Sequence, residues 1–273
     1  MSNYELIAFD MDGTLLNSRK EISSGSLHAI SRAVQKGKTV CLCTGRCIPE
    51  LEEYLPVLSD IRYIIGESGV FVLDTFENKY IYRDPMDIDT AVEIFTRMKQ
   101  SGEDVMMHLH SDRSIVQADK IPLMHLYNMS VYRPLFERAC LAVEDITAFF
   151  LSDPFPPNKI NIYCRTTDQW DRIRAMLADL DIEFKHVEGQ SLECVPKKQT
   201  KGTGLTKLCE HLALPVTKAI AVGDADNDLE MLEAAGLAIA MGNANEAVLK
   251  AADFVVADND HEGCAEAIDH YLL

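Results

Sequence analysis

The chain has 273 residues, 47% of them hydrophobic and 25% charged, with a formal net charge of −17. That length allows one large or two medium domains around a substantial core. A surface so acidic repels nucleic acid and anionic membranes, which argues against both as partners, and it repels a phosphorylated substrate unless positive charge is supplied locally.

Taken in order, Tyr4 to Phe9 is apolar but for Glu5 and predicts a buried strand. Ser26 to Gln35 predicts an amphipathic helix carrying Leu27, Ile30 and Val34, stopped by Gly37. Thr39 to Cys43 predicts a second strand, Pro49 suits the first turn of the helix that follows, and Tyr63 to Ile65 predicts a third strand. Near the C-terminus, Ala219 to Val222 is strand-like, Leu229 and Leu232 share a helix face that Gly236 ends, and Leu237 to Met241 and Phe254 to Val256 continue the alternation. Short apolar strands alternating with helices predict an α/β fold with a doubly wound parallel sheet covered on both faces. The middle mixes helical periods (Ala91 to Lys99, Gln169 to Leu180) with alternating strands such as Lys159 to Cys164, and the prolines between Ser152 and Asn158 mark a loop. This predicts a core domain from residues 1–83 and 194–273, and an inserted α+β domain over 84–193.

The eight cysteines include no CxxC pair, and Cys41, Cys43 and Cys47 lack zinc-site spacing. Cys41 and Cys43 lie in an apolar run and read as small buried residues. Glu5 and Asp10 interrupt any signal-peptide pattern, and no stretch approaches the ~18 apolar residues of a membrane span. A reducing cytoplasm is the expected home. His108 and His110 share a strand face that reads as partly exposed rather than metal-binding.

Four segments fall at or just beyond predicted strand ends, where open parallel sheets place ligands. Asp10-Met11-Asp12-Gly13-Thr14 puts two carboxylates at the end of an apolar strand, a costly arrangement that a divalent cation relieves, though Asp and Gly also build ordinary solvated turns. Thr44-Gly45-Arg46 offers a hydroxyl and backbone N–H groups at a strand-to-helix turn, which suit either a phosphate or a helix N-cap. Lys201 supplies local positive charge for a phosphate, or is simply a solvated neighbour of Lys197 and Lys198. Gly223-Asp224-Ala225-Asp226-Asn227-Asp228 has alternating carboxylates, but Leu229 and Ala235 occupy the positions where a calcium loop needs Gly and Glu. No P-loop, GxGxxG, GxSxG or HExxH pattern is present.

In this order the four segments resemble the signature motifs of the haloacid dehalogenase (HAD) superfamily. Leu192 to Pro196 ahead of Lys201, and Ala240-Met241-Gly242-Asn243-Ala244 through Asp253, are similar to its Cof-type branch, whose members carry a large α/β cap between the second and third motifs. Ser68 stands where members often have Asn. The resemblance covers essentially the whole chain and implies a Mg2+-dependent phosphatase of small phosphorylated metabolites such as sugar phosphates. It implies Asp10 as nucleophile and Asp12 as acid and base. Met11, Thr44, Gly45, Lys201 and Asn227 are implied to bind phosphate, and Asp10, Asp12 (through its backbone carbonyl), Asp224 and Asp228 to hold the metal. A phosphomutase of the same fold, or a non-catalytic phosphate-binding regulator, are the competing readings.

Overall fold

The apolar runs at the two ends of the chain pair with each other. In the computed structural model, which describes residues 3–187 and 190–273, the strands and helices follow in chain order. They are β1 (Leu6–Phe9), α1 (Ser24–Gln35), β2 (Thr39–Cys43), α2 (Ile48–Leu51), β3 (Tyr63–Gly66), β4 (Phe71–Asp74), β5 (Lys79–Arg83) and α3 (Ile88–Ser101). Next come β6 (Met106–His110), β7 (Ser114–Gln117), α4 (Arg133–Ala139), β8 (Cys140–Val143), α5 (Ile146–Ser152), β9 (Lys159–Tyr163), α6 (Thr167–Leu177), β10 (Ile182–Val187) and β11 (Ser191–Pro196). The chain ends through α7 (Lys201–His211), β12 (Ala219–Gly223), α8 (Leu229–Ala234), β13 (Leu237–Ala240), α9 (Glu246–Ala251), β14 (Phe254–Val255) and α10 (Gly263–Ala267).

Two compact units result. Met1–Arg46, Glu53–Arg83 and Gln199–Leu273 form one; Cys47–Glu52 and Asp84–Lys198 form the other. Because all of β11 pairs within the second unit's sheet, the junction falls after Lys198, beyond the position periodicity suggests. No helix among the described residues is long and apolar enough to cross a membrane.

The first unit is built on an eight-stranded sheet in the order β14-β13-β12-β1-β2-β3-β4-β5. It is parallel from β14 to β3 and antiparallel from β3 to β5. The antiparallel extension was not foreseen from the sequence. Along β1 the pleat alternates faces: Leu6 and Ala8 join a core with Leu205, Leu208 and Met231 from α7 and α8. Ile7 and Phe9, also buried, point to the opposite face. Helix α1 buries Ser26, Ala29, Ile30 and Ala33, while Leu27 and Val34 are only half-buried, so its inward stripe is rotated from the expected one. The chain runs outward from β1 to β2 and β3, then restarts at β12 on the other side of β1. That reversal is a topological switch point, and the crevice beyond the carboxyl ends of β1 and β12 is where such sheets bind ligands.

The second unit holds a six-stranded sheet in the order β10-β11-β9-β6-β7-β8. Met107, Leu109, Ile160, Ile162, Leu192 and Cys194 form one face and pack with Ile94 and Phe95 of α3, Phe150 of α5 and Ile173 of α6. The other face carries buried polar residues: His108, His110, Ser114, Lys159, Asn161 and Glu193. Lys159 and Glu193 form an ion pair at 2.8 Å across that face. His108 and His110 are 1% and 2% exposed, which corrects the expectation of a partly solvated strand face.

Candidate active site

Strand pairing places the first motif. The Asp10 N–H donates to the Val222 carbonyl at 3.0 Å, continuing the β1–β12 register in which Phe9 faces Val222. Residues 10 and 224 thereby emerge side by side although they lie at opposite ends of the chain. Two glycines permit the approach. Gly13 has φ +84°, and a Cβ on it would lie 2.3 Å from an Asp224 carboxylate oxygen; a Cβ on Gly223 would lie 2.5 Å from the Asp228 carboxylate. Thr14 Oγ1 donates to Asp224 at 2.7 Å, and the Asn243 side-chain amide donates to the Gly13 carbonyl at 2.8 Å. Both hold the first loop against the last motif.

Lys201 opens α7 and is 0% exposed. Thr200 caps that helix, its hydroxyl accepting from the Thr203 N–H at 3.1 Å. Gly69, at φ +100°, packs so closely that a Cβ there would overlap the Thr200 carbonyl. The lysine is thus aimed by its helix start. Its ammonium donates to Asp10 and, at 2.6 Å, to Asp228. Asp228 is itself buried and accepts the N–H groups of Asp224 and Ala225 at 2.9 and 3.1 Å.

Asp10, Asp224 and Asp228 each offer an oxygen within 4.8 Å of the others. One ammonium among three carboxylates leaves an excess of negative charge in a desolvated place. The pKa values register it. Burial, then the neighbouring Asp228 and Asp224, push Asp10 above the ordinary carboxylate range in spite of Lys201. Burial, with the charge of Asp228, raises Asp224 to about 6 against the opposing Thr14 hydrogen bond. A mostly buried set of oxygen donors with surplus negative charge fits a hard divalent cation.

The Asp12 side chain goes elsewhere. Arg46 holds it with two hydrogen bonds, Nε at 2.7 Å and Nη2 at 2.8 Å, and Lys20 adds a third at 2.8 Å. Burial alone would raise its pKa, but the Arg46 hydrogen bonds and charge, with Lys20, lower it to about 2. Asp12 is therefore ionised at neutral pH. A depressed carboxylate contributes stability that is fully present above its unfolded value near 3.8 and is lost as pH falls toward 2. Replacing Arg46 by Met should remove about 2 kcal/mol at neutral pH. The gap from wild type should close as pH drops to about 2, as measured by denaturant unfolding across that range. A pH-independent gap would show that Arg46 acts through packing instead.

Of the remaining residues singled out by sequence, Thr44 follows β2, directly beside β1, and its Oγ1 accepts the Arg46 N–H at 3.1 Å. It is not the cap of α2; that position is Cys47. Gly45 lies in the same turn. The Met11 side chain is buried in the core, so only its backbone is available to a ligand. Asn227 is half-buried in the turn between β12 and α8. Ser68 sits at φ 58°, a left-handed conformation that Asn tolerates better than Ser, so the residue departing from the family pattern bears a backbone strain Asn would ease. Sequence reasoning missed Lys20 entirely and assigned Arg46 no role; Lys20 follows no strand, and its contact arises only from the fold of the first loop.

A family model of haloacid dehalogenase-like hydrolases matches residues 7–268. The chain belongs to the haloacid dehalogenase-like hydrolases, in their Cof-type phosphatase branch. Among its relatives in this family is the 5-amino-6-(5-phospho-D-ribitylamino)uracil phosphatase YwtE of Bacillus subtilis, 30% identical over 97% of both chains. Another is the pyridoxal phosphate phosphatase YbhA of Escherichia coli, 27% identical over 98% of both. A haloacid dehalogenase-like hydrolase from Bacteroides thetaiotaomicron superposes with a TM-score of 0.84 at 27% identity, covering 97% of this chain and 98% of its own. Family members of this length thus match both units, not the sheet with the carboxylates alone.

Proposed function

We propose that this hydrolase cleaves small phosphomonoesters through an aspartyl-phosphate on Asp10, with Mg2+ held by Asp10, Asp224, Asp228 and the Asp12 backbone carbonyl. The observation that carries the reading is the trio of carboxylates around Lys201, with Asp10 and Asp228 buried and Asp224 half-buried, at the switch point of the sheet. When bound, the magnesium ion neutralises the surplus charge and lets an anionic nucleophile approach an anionic phosphate.

The chain's own groups supply the rest. Asp10 attacks phosphorus as the bond to the departing oxygen breaks. Lys201, the Thr44 hydroxyl, the backbone at Met11 and Gly45, and Asn227 hold the phosphoryl oxygens; one such preorganised donor is worth on the order of 3 kcal/mol of barrier. Asp12 protonates the departing oxygen, then takes a proton from the water that hydrolyses the phosphoryl-enzyme. An Asp12 with a pKa of about 2 is ready for the second task but not the first. Acid catalysis therefore requires Arg46 and Lys20 to let go of Asp12 first, and an incoming phosphate is the competing anion suited to draw them away. These three cations also answer the requirement for local positive charge in a chain of net charge −17.

Relatives named for a ribitylamino-uracil phosphate and for pyridoxal phosphate support a small metabolite as substrate. The test is a screen of phosphorylated metabolites with Mg2+ present, scoring inorganic phosphate release. Release from at least one compound, well above p-nitrophenyl phosphate in kcat/KM, is expected. Isomerisation without phosphate release would replace the hydrolase reading with a mutase.

Chelation should abolish turnover, and added Mg2+ should restore it. The same ion should raise the melting temperature by several degrees, since a ligand at about 100 times its Kd adds about 2.7 kcal/mol. Undiminished activity after exhaustive chelation would refute the metal assignment.

A further inference from the structure

The second unit gathers a different set of donors. Glu50 from α2, His108 from β6 and Cys140 at the start of β8 each offer a ligand atom within 4.8 Å of the others. Cys47, Glu50 and His110 form an overlapping trio by the same measure, so five side chains of metal-binding type share one neighbourhood. All but Cys140 are buried. The strands explain the convergence: Ser114 pairs with both His110 and Cys140 across β7, and the pleat turns all of them toward the polar face.

We propose that Glu50, His108 and Cys140 bind a zinc-class transition-metal ion, separately from the carboxylate trio of the other unit. The donor chemistry selects the class. An imidazole and a thiol with one carboxylate suit Zn2+ and its borderline neighbours, whereas Mg2+ prefers oxygen alone. The spacing agrees. His108 Nε2 stands 3.6 Å from Glu50 Oε1 and 3.7 Å from Cys140 Sγ. Tetrahedral zinc with ordinary Zn–N, Zn–O and Zn–S lengths has ligand-to-ligand edges of roughly 3.3–3.6 Å. These two edges therefore need to change by only a few tenths of an ångström, and the third, Glu50 to Cys140, lies within 4.8 Å.

Ser114 Oγ occupies the middle of this set. It lies 2.6 Å from His108 Nε2, 3.1 Å from Cys140 Sγ and 3.3 Å from Glu50 Oε1. An ion bound by the three donors therefore sits beside the Ser114 Oγ position rather than on it, because the Ser114 Cβ stays one bond length from that point however the hydroxyl turns. Cys140 is half-buried and marks the side by which an ion, with a water as fourth ligand, reaches the site. The bland competitor is a hydrogen-bonded polar core in which Ser114 simply joins three neighbours.

The test uses the whole chain, stripped by chelation and titrated with Co2+ in excess Mg2+. One equivalent should produce a thiolate-to-cobalt charge-transfer band with tetrahedral ligand-field absorption, and Zn2+ should bleach both. Cys140→Ser should lose the charge-transfer band, and Glu50→Gln and His108→Ala should each weaken Co2+ binding by at least ~10-fold, about 1.4 kcal/mol. Circular dichroism checks that each variant is folded. Should a variant fail to fold, cadmium NMR of the wild-type chain decides: a shift typical of mixed sulfur, nitrogen and oxygen donors supports the site, and an all-oxygen shift overturns it. Absence of the band in wild type also overturns the proposal. So does a band that survives Cys140→Ser and disappears in Cys47→Ser, which would put the ion on the other trio.

Discussion

Asp10→Asn is expected to lower kcat/KM for p-nitrophenyl phosphate by roughly 10⁴-fold or more, the scale on which loss of a nucleophile is felt, while leaving the protein folded. The amide keeps the shape of the carboxylate and one oxygen for the Lys201 ammonium. What it removes is a charge that the buried cluster holds at a cost. Because burial and two neighbouring carboxylates raise the Asp10 pKa above its ordinary value of 3.8, ionisation of Asp10 weakens the folded state. The sign follows: that penalty is absent below about pH 4 and grows as pH rises through the folded value. Without metal, the Asn variant should therefore melt at the same temperature as wild type near pH 4 and above it at pH 8. A variant that is inactive and also less stable at pH 8 would mean that Asp10 is a structural anchor, and its inactivity would then say nothing about nucleophilic attack. Normal turnover by the folded variant would end the assignment outright.

Much of this arrangement was legible in the residues. The strands β1, β2, β3, β12 and β13 are short and apolar throughout, and a run buried on both faces announces a parallel sheet regardless of tertiary detail. Three of the four motifs follow those strands, so their placement at one end of the sheet came with them, whereas Lys201 opens α7 after β11 of the other sheet. Of the antiparallel pair β4 and β5, β5 was missed because it is partly exposed throughout, from Lys79 to Arg83, and does not present a buried run. The destination of the Asp12 carboxylate was missed for a different reason. The residue pattern alone suggested that the Asp10 and Asp12 carboxylates share one ion, whereas the resemblance put only the Asp12 backbone carbonyl on it; the turn sends the two side chains apart, and only the folded loop brings Lys20 and Arg46 to Asp12. The histidines of β6 show a third kind of failure. Alternation correctly put His108 and His110 on one face, but whether that face is wet or covered depends on residues remote in sequence, among them Glu50 and Phe136.

Lys201→Met should have the second large effect, and it separates charge from packing. Methionine fills much the same volume, so the change chiefly deletes a buried ammonium that touches Asp10 and Asp228. Breaking a buried pair by removing one partner typically costs about 3–5 kcal/mol, because the other charge is left uncompensated. Here two carboxylates lose their partner and Asp224 stands close by, so the chelated variant should unfold well below wild type. Saturating Mg2+ should recover much of that stability, since a divalent ion supplies positive charge to the same oxygens. Turnover should stay depressed by at least ~100-fold, on the scale of losing one preorganised donor to the phosphoryl group. Calorimetric melting with and without Mg2+, set beside kcat/KM, reads both arms. If the metal restored stability and rate together, Lys201 would be only a counter-charge to the carboxylates; if it restored neither, the ion would not be bound by the oxygens that Lys201 holds.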